Sequence, residues 1–210
     1  MAEVQPDSAE TRELLERVAN HDAGALEELL VHHRAGLRDF IEFHLDPRLR
    51  ARVDPSDVVQ ETQMELVRRM EDFLARRPMP FRLWMRRKAY ERLLNLRRNH
   101  LVRERRSVRR EIAFPDQSSL ALARPLLAKQ PTPSQEAEGR ELAEQIARAV
   151  AHLADADREI LLLRQAQELP FEEIAVLLNV EAGTARKRFG RALIRLQTAL
   201  REEGLLKELP

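Results

Sequence analysis

Four of the chain's eleven prolines, at positions 115, 125, 131 and 133, fall within residues 112–134 of a sequence otherwise patterned for helix. Proline has no amide proton to donate and its ring clashes with the preceding turn, so no long helix crosses this stretch. Mixed with serine, glutamine and a few leucines, it reads as a linker. The expectation is two separately folded helical bodies, residues 10–111 and 135–203, joined by residues 112–134. Leucine and alanine together number 59, against 23 valine, isoleucine and threonine residues and six glycines, which favours helix and excludes an all-β fold. With 210 residues, 43% of them hydrophobic, each body has enough apolar side chains for a core. The expected class is all-α.

The chain has no cysteine, hence no disulfide framework, thiolate zinc site or cysteine nucleophile. Its apolar runs are too short to span a bilayer, and the opening MAEVQPDSAETRELLERV lacks the charged and apolar regions of a signal peptide. A cytoplasmic protein with no membrane insertion is expected. The net charge of +1 conceals an asymmetry. Residues 82–110 hold twelve Lys or Arg against Glu91 and Glu104, leaving 24 basic and 33 acidic residues elsewhere. Residues 182–201 hold six basic residues and no acidic one. Two basic blocks on an otherwise acidic chain point to two contacts with a polyanion, or else to two solvated helix faces.

Periodicity places a helix near 10–20 and a longer one capped by Asp22 that carries Leu26, Leu29, Leu30, Leu37, Phe40 and Ile41. Asp54 caps the next, with Pro55 at its first position, and that helix is expected to reach Leu74. Phe81, Met85, Ala89, Leu93 and Leu96 mark the buried stripe of another, with Arg87 and Arg98 opposite. Beyond the linker, Ser134 and Asp155 are read as caps and Pro170 as a helix opener. The last helix, from Ala182, is expected to bury Ala185, Phe189, Ala192, Leu196 and Leu200.

Three segments carry chemistry. Residues 170–196, PFEEIAVLLNVEAGTARKRFGRALIRL, pair a short amphipathic helix with a longer basic one across a break at Asn179, the shape of a helix-turn-helix. Projected at 100° per residue, Thr184, Lys187, Gly190 and Arg191 oppose the apolar stripe, flanked by Arg186, Arg188 and Arg195. An acid-free face of this kind suits a major groove, although a helical hairpin with a solvated face has the same pattern. In residues 80–111, Trp84 and Tyr90 sit among arginines, an arrangement suited to stacking on unpaired bases, or to Trp84 serving as core. Along residues 57–65, Asp57, Gln60, Glu61, Met64 and Glu65 form an acidic face able to dock a basic protein surface, or simply to be solvated.

In this order, the three segments resemble a bacterial RNA polymerase sigma factor of the extracytoplasmic-function group in the sigma-70 family. RVDPSDVVQET resembles the family's core-polymerase-binding helix, FRLWMRRKAYERLLNLRR its melting and minus-10 helix, and residues 153–196 its minus-35 domain. RVDPSDVVQET, RRSVRRE and the PSQ at the linker's end further resemble variants abundant in planctomycete-like bacteria. The resemblance implies a nonenzymatic initiation factor without metal or cofactor, whose partners are core polymerase (clamp helices and flap of the large subunits), promoter DNA and, as the source of any signal, an anti-sigma factor. It implies that Asp57, Gln60, Glu61 and Met64 meet the clamp helices. Trp84, Arg86, Arg87, Arg97 and Arg98 would lie at the minus-10 region, and Thr184, Arg186, Lys187, Arg188, Gly190 and Arg191 at the minus-35 element. Glu91 and Asn95 depart from the family's commoner asparagine and aspartate, and Asn179 and Glu181 from its commoner glycine and hydroxyl cap. The rivals are a helix-turn-helix regulator that does not bind polymerase and a helical metal-dependent hydrolase, the latter requiring His32, His33 and nearby carboxylates to converge.

Overall fold

The structure is a computed structural model that describes residues 4–46, 49–50, 52–104, 146, 149–150, 152–202 and 204, with residues 100–104 described through their backbone. The linker at 112–134 and the Ser134 cap lie outside these residues. Every regular element among them is helical, in line with the all-α expectation. The chain divides into two compact units, one of residues Val4–Arg110 and one containing Glu111–Pro210.

In the first unit, α1 (Ala9–Ala19) starts at Ser8, whose side chain accepts from the Thr11 amide and leaves one fewer orphan donor in the first turn. Helix α2 (Ala25–His44) departs from the reading that Asp22 caps it. Its N-cap is Gly24, with no side-chain cap; Asp22 lies two residues ahead of that position, and its carboxylate accepts from Arg17 Nε at 2.7 Å. Arg17 also grips Glu28, so one guanidinium ties the α1–α2 corner together. Helix α3 (Pro55–Arg68) begins as expected: Asp54 Oδ1 accepts from the Ser56 amide at 2.7 Å, with Pro55 in the first turn.

The single helix expected to reach Leu74 is in fact two. At Arg69 the backbone (φ −108°, ψ 8°) leaves helical geometry, and α4 (Met70–Arg76) follows. The apolar spacing runs through the break unaltered, since Val59, Thr62, Leu66, Met70 and Phe73 are all buried. Periodicity alone therefore does not reveal it. Arg77 in the left-handed region closes α4 before Pro78 and Pro80.

Helix α5 (Phe81–Glu104) has no acidic residue in its first turn. The missing carboxylate comes from Asp7, which accepts from the amides of Phe81 (2.7 Å) and Arg82 (3.2 Å). A residue more than seventy positions upstream thus caps the most basic helix of the unit. The apolar face of α5 is broader than the expected stripe, because Leu83, Trp84 and Tyr90 are buried along with Phe81, Met85, Ala89 and Leu93. Leu96 is only half-buried.

In the second unit, Ile146, Ala149 and Val150 are buried ahead of α6 (Asp155–Leu161). Asp155 was expected to cap this helix, but it is the first helical residue, and the N-cap is Ala154 without a side-chain bond. A π-type turn, Leu162–Ala166, follows, then α7 (Phe171–Leu178) and α8 (Ala182–Glu202). Asn179 ends α7 at φ 52°, ψ 51°, the left-handed conformation that asparagine tolerates better than most residues. The Val180 amide then bonds back to the Ala175 carbonyl at 2.9 Å, closing the turn. Ala185, Ala192, Leu196 and Leu200 are buried as expected, whereas Phe189 is only half-buried, edge-on to Phe171.

Candidate nucleic-acid and protein interfaces

On α3, burial of Val58, Val59, Thr62 and Leu66 against the bundle turns Asp57, Gln60, Glu61 and Met64 outward, and all four are exposed. Met64 retains 48% of its surface and the neighbouring Val67 45%, so the acidic face carries apolar surface that nothing in its own unit covers. A mixed face of this kind suits a protein partner better than a nucleic acid, whose phosphates the carboxylates repel. Glu61 is already engaged, because Arg92 of α5 donates to it.

Helix α5 presents cations that are largely committed within the unit. Arg87 Nε and Lys88 Nζ both reach Glu91, at 3.1 and 2.8 Å, and Arg98 donates to Asn95. The Arg86 guanidinium lies 5.6 Å from the Phe40 ring centroid. Arg97 is half-buried, while Arg98 is exposed. Glu91, one of only two acidic residues in the basic block, is held below the usual carboxylate range by Lys88 and Arg87 against the opposing effect of partial burial. A polar cavity of about 340 Å³ between α3 and α5 is lined by Lys88, Arg92, Asn95 and Asn99 on one side and Thr62 and Glu65 on the other.

Trp84 requires correction as a base-stacking residue. It is 7% exposed, and its ring stacks on Phe73 with centroids 4.4 Å apart and planes 20° from parallel. Phe81 lies beside it at 5.8 Å. With its face occupied, Trp84 belongs to the core. Tyr90, 2% exposed, has no free face either.

Helix α8 differs. Lys187, Arg188 and Arg191 are exposed and engage no partner among the described residues. Thr184 and Gly190 are half-buried between them. A Cβ placed on Gly190 meets nothing within 4 Å, so no internal contact demands glycine there. The flanking arginines are anchored: Arg186 Nη2 to Glu172 Oε1 at 2.5 Å, and Arg195 Nη1 to Asp157 Oδ2 at 2.5 Å. These two carboxylates, like Asp7 and the Arg92 contact of Glu61, were missed in the sequence. Each partner is distant along the chain, and no local motif announces it.

The histidines do not assemble a site. His32 Nδ1 faces Glu10 at 3.2 Å, and His33 Nε2 meets the Thr11 hydroxyl at 3.0 Å. Burial, with His32 alongside, pushes His33 down to about 4, and burial beside Arg86 pushes His44 down to about 3. Among the described residues no group of three or more metal-ligating side chains converges, and no helix is long and apolar enough to cross a membrane.

Residues 143–196 match the family model described as Sigma-70, region 4. Among solved structures, the chain is similar to CnrH in complex with the cytosolic domain of CnrY, with a TM-score of 0.55, 20% identity, and coverage of 92% of this chain and 99% of that one. It is also similar to the sigma factor RpoE in complex with the anti-sigma factor NepR from Bartonella quintana, with a TM-score of 0.54, 17% identity, and coverage of 85% and 98%. These structural likenesses establish the fold. No curated protein matches the chain by sequence.

Proposed function

We infer that this chain, whose residues 143–196 form a sigma-70 region 4 segment, is a sigma factor of the extracytoplasmic-function type that brings core RNA polymerase to promoter DNA. The observation that carries the reading is that this segment contains the helix-turn-helix of α7 and the first four turns of α8, with Lys187, Arg188 and Arg191 exposed on its outer face and without a partner among the described residues. Cations without internal partners can replace the counterions of a duplex at little internal cost. Lys187 and Arg191, one turn apart, reach base edges of the minus-35 element, and Arg188 neutralises phosphate.

In the first unit, Asp57, Gln60, Glu61 and Met64 form the polymerase-binding face. Carboxylates supply charge complementarity to a basic partner, and Met64 supplies adaptable apolar contact. Helix α5 lies at the minus-10 region, with Arg98 and the outward parts of Arg86, Arg87 and Arg97 toward the opened strands. The domain roles are 10–111 for polymerase and minus-10 contacts, 112–134 as linker and 135–203 for the minus-35 element. The protein performs no covalent chemistry itself, which belongs to the polymerase, and acts with it in the cytoplasm. The described neighbours include a sigma factor bound to an anti-sigma factor, and a regulator of that kind is the natural source of control for this chain.

The test is assembly of holoenzyme from purified core polymerase. Asp57→Arg with Glu61→Arg should abolish core binding and run-off transcription while thermal unfolding stays close to wild type. The unfolding control is needed because Glu61 also receives Arg92. Wild-type affinity for core in the double variant rules out this face. A chain that binds promoter duplex but never core polymerase is instead a helix-turn-helix regulator.

A further inference from the structure

Among the cations on the outer and flanking positions of the first half of α8, Arg186 is the one with a fixed place. Its Nη2 donates to Glu172 Oε1 at 2.5 Å, and its guanidinium carbon lies 5.6 Å from the Phe171 ring centroid. That ring is itself held. Phe189 meets it edge-on at 5.6 Å, and Arg164 sits over it at 5.1 Å while donating to the Leu169 carbonyl. The Glu172 side chain is 22% exposed against 50% for Arg186, and Glu172 Oε2 is buried without a hydrogen-bond partner. The carboxylate thus stays at the helix junction rather than turning into water, and it grips the arginine from below.

We propose that Glu172 and Phe171 are positioning residues for Arg186, and that Arg186, held by them, discriminates bases in the upstream promoter element. The inference rests on the reading of α7 and α8 as the duplex-binding unit. A guanidinium has five N–H donors in a rigid fork, and the bond to Glu172 uses one. The remaining donors are offered from the N-terminal part of α8, the part of a recognition helix that contacts base edges. Lys187, Arg188 and Arg191 engage no partner among the described residues, so fixing any of them on one base edge costs side-chain entropy that Arg186 has largely lost already. Arg188 suits phosphate, which accepts many geometries, whereas a bidentate contact to guanine accepts one, so beside the base contacts of Lys187 and Arg191 the held fork of Arg186 is the most selective. The opposing possibility is that Glu172 restrains Arg186 and keeps it off the duplex, and the two make opposite predictions.

The experiment uses the full chain assembled with core polymerase and a pool of promoter duplexes whose upstream window is randomised, with the bound fraction sequenced. Wild type should enrich particular bases in the window. In Glu172→Gln and in Arg186→Lys, which keeps the charge but loses the fork, enrichment at one or two adjacent base pairs should fall about tenfold, a larger change than the fall in total binding at low salt. Arg188→Ala should do the reverse, lowering binding while leaving the base profile intact. A merely structural role for Glu172 does not predict a loss confined to those base pairs. Should Glu172→Gln fold poorly, the exposed Arg186→Lys carries the test alone. An unchanged profile in Arg186→Lys, or tighter binding with a sharper profile in Glu172→Gln, overturns the proposal and leaves duplex binding standing. Absence of any enrichment by wild type removes the minus-35 reading itself, and this inference with it.

Discussion

Helices α5 and α8 look alike as strings of residues, each long, rich in arginine and nearly free of acid, yet they are built differently. On α5 these cations are engaged by the unit's own groups: Arg87 and Lys88 by Glu91, Arg92 by Glu61, Arg98 by Asn95. Its aromatic residues are buried, with Trp84 stacked on Phe73. On α8, Lys187, Arg188 and Arg191 engage no partner among the described residues, and the buried face is made largely of alanine and leucine. Charge density along a helix therefore does not measure how much charge is available to a ligand. Availability depends on whether carboxylates from other helices reach the cations first.

The comparison can be broken most sharply through the aromatic side. Trp84→Ala should destabilise the first unit by about 3 to 5 kcal/mol, as large-to-small changes at buried aromatic sites do, and Phe189→Ala on α8 should cost clearly less, because that ring is only half-buried. Denaturant unfolding followed by circular dichroism gives both numbers. Equal costs would mean that α5 and α8 are anchored alike.

A second difference concerns acid. His33 and His44 are held neutral in the folded first unit, down to about 4 and about 3, whereas in the unfolded chain each takes up a proton near its ordinary value of about 6.5. The unfolded state thus binds more protons below that value, so stability is lost as pH falls from about 6.5 toward 4 and below. Replacing His44, which packs on Phe40 at 4.5 Å and leaves Nε2 unsatisfied, with Phe should flatten this acid loss. Urea midpoints at neutral and mildly acidic pH, compared between wild type and His44→Phe, should show a smaller drop for the variant.

The helix starts sharpen the comparison further. Asp7→Ala removes the carboxylate from the first amides of α5 and should cost about 0.5 to 2 kcal/mol, the range for loss of an N-cap. The same variant should leave unfolding of the second unit unmoved. The smallest effect is expected at Gly190, where a methyl group meets open space. Gly190→Ala should stabilise α8 by about 0.5 to 1 kcal/mol through helix propensity, while promoter binding stays level or falls. A clear gain in both would mean that the Gly190 side of α8 does not approach DNA.

Much of this architecture was legible because it follows from local rules. Asp54-Pro55 announces the start of α3, and Asn179 marks the turn between α7 and α8. The spacing of Ala185, Ala192 and Leu196 identifies the buried face of α8, and hence the outward Lys187 and Arg191. What escaped was of two kinds. Asp22 and Asp155 have the chemistry of caps, but Arg17 claims the first, and the helix starts one residue early at the second. The break at Arg69 escaped because the buried positions on either side keep one periodicity through it.

The amino-acid order by itself determined the all-helical class, the location of the turn in the helix-turn-helix and which face of α3 and α8 is buried, since helix periodicity and capping act over a few residues. It could not determine which of those outward residues remain free. Trp84 belongs to the core because Phe73, on another helix, occupies its face, and Arg186 differs from Arg188 because Glu172 lies within 2.5 Å of one and not the other. Such contacts join residues far apart in the chain, and only the packing of whole helices brings them within reach.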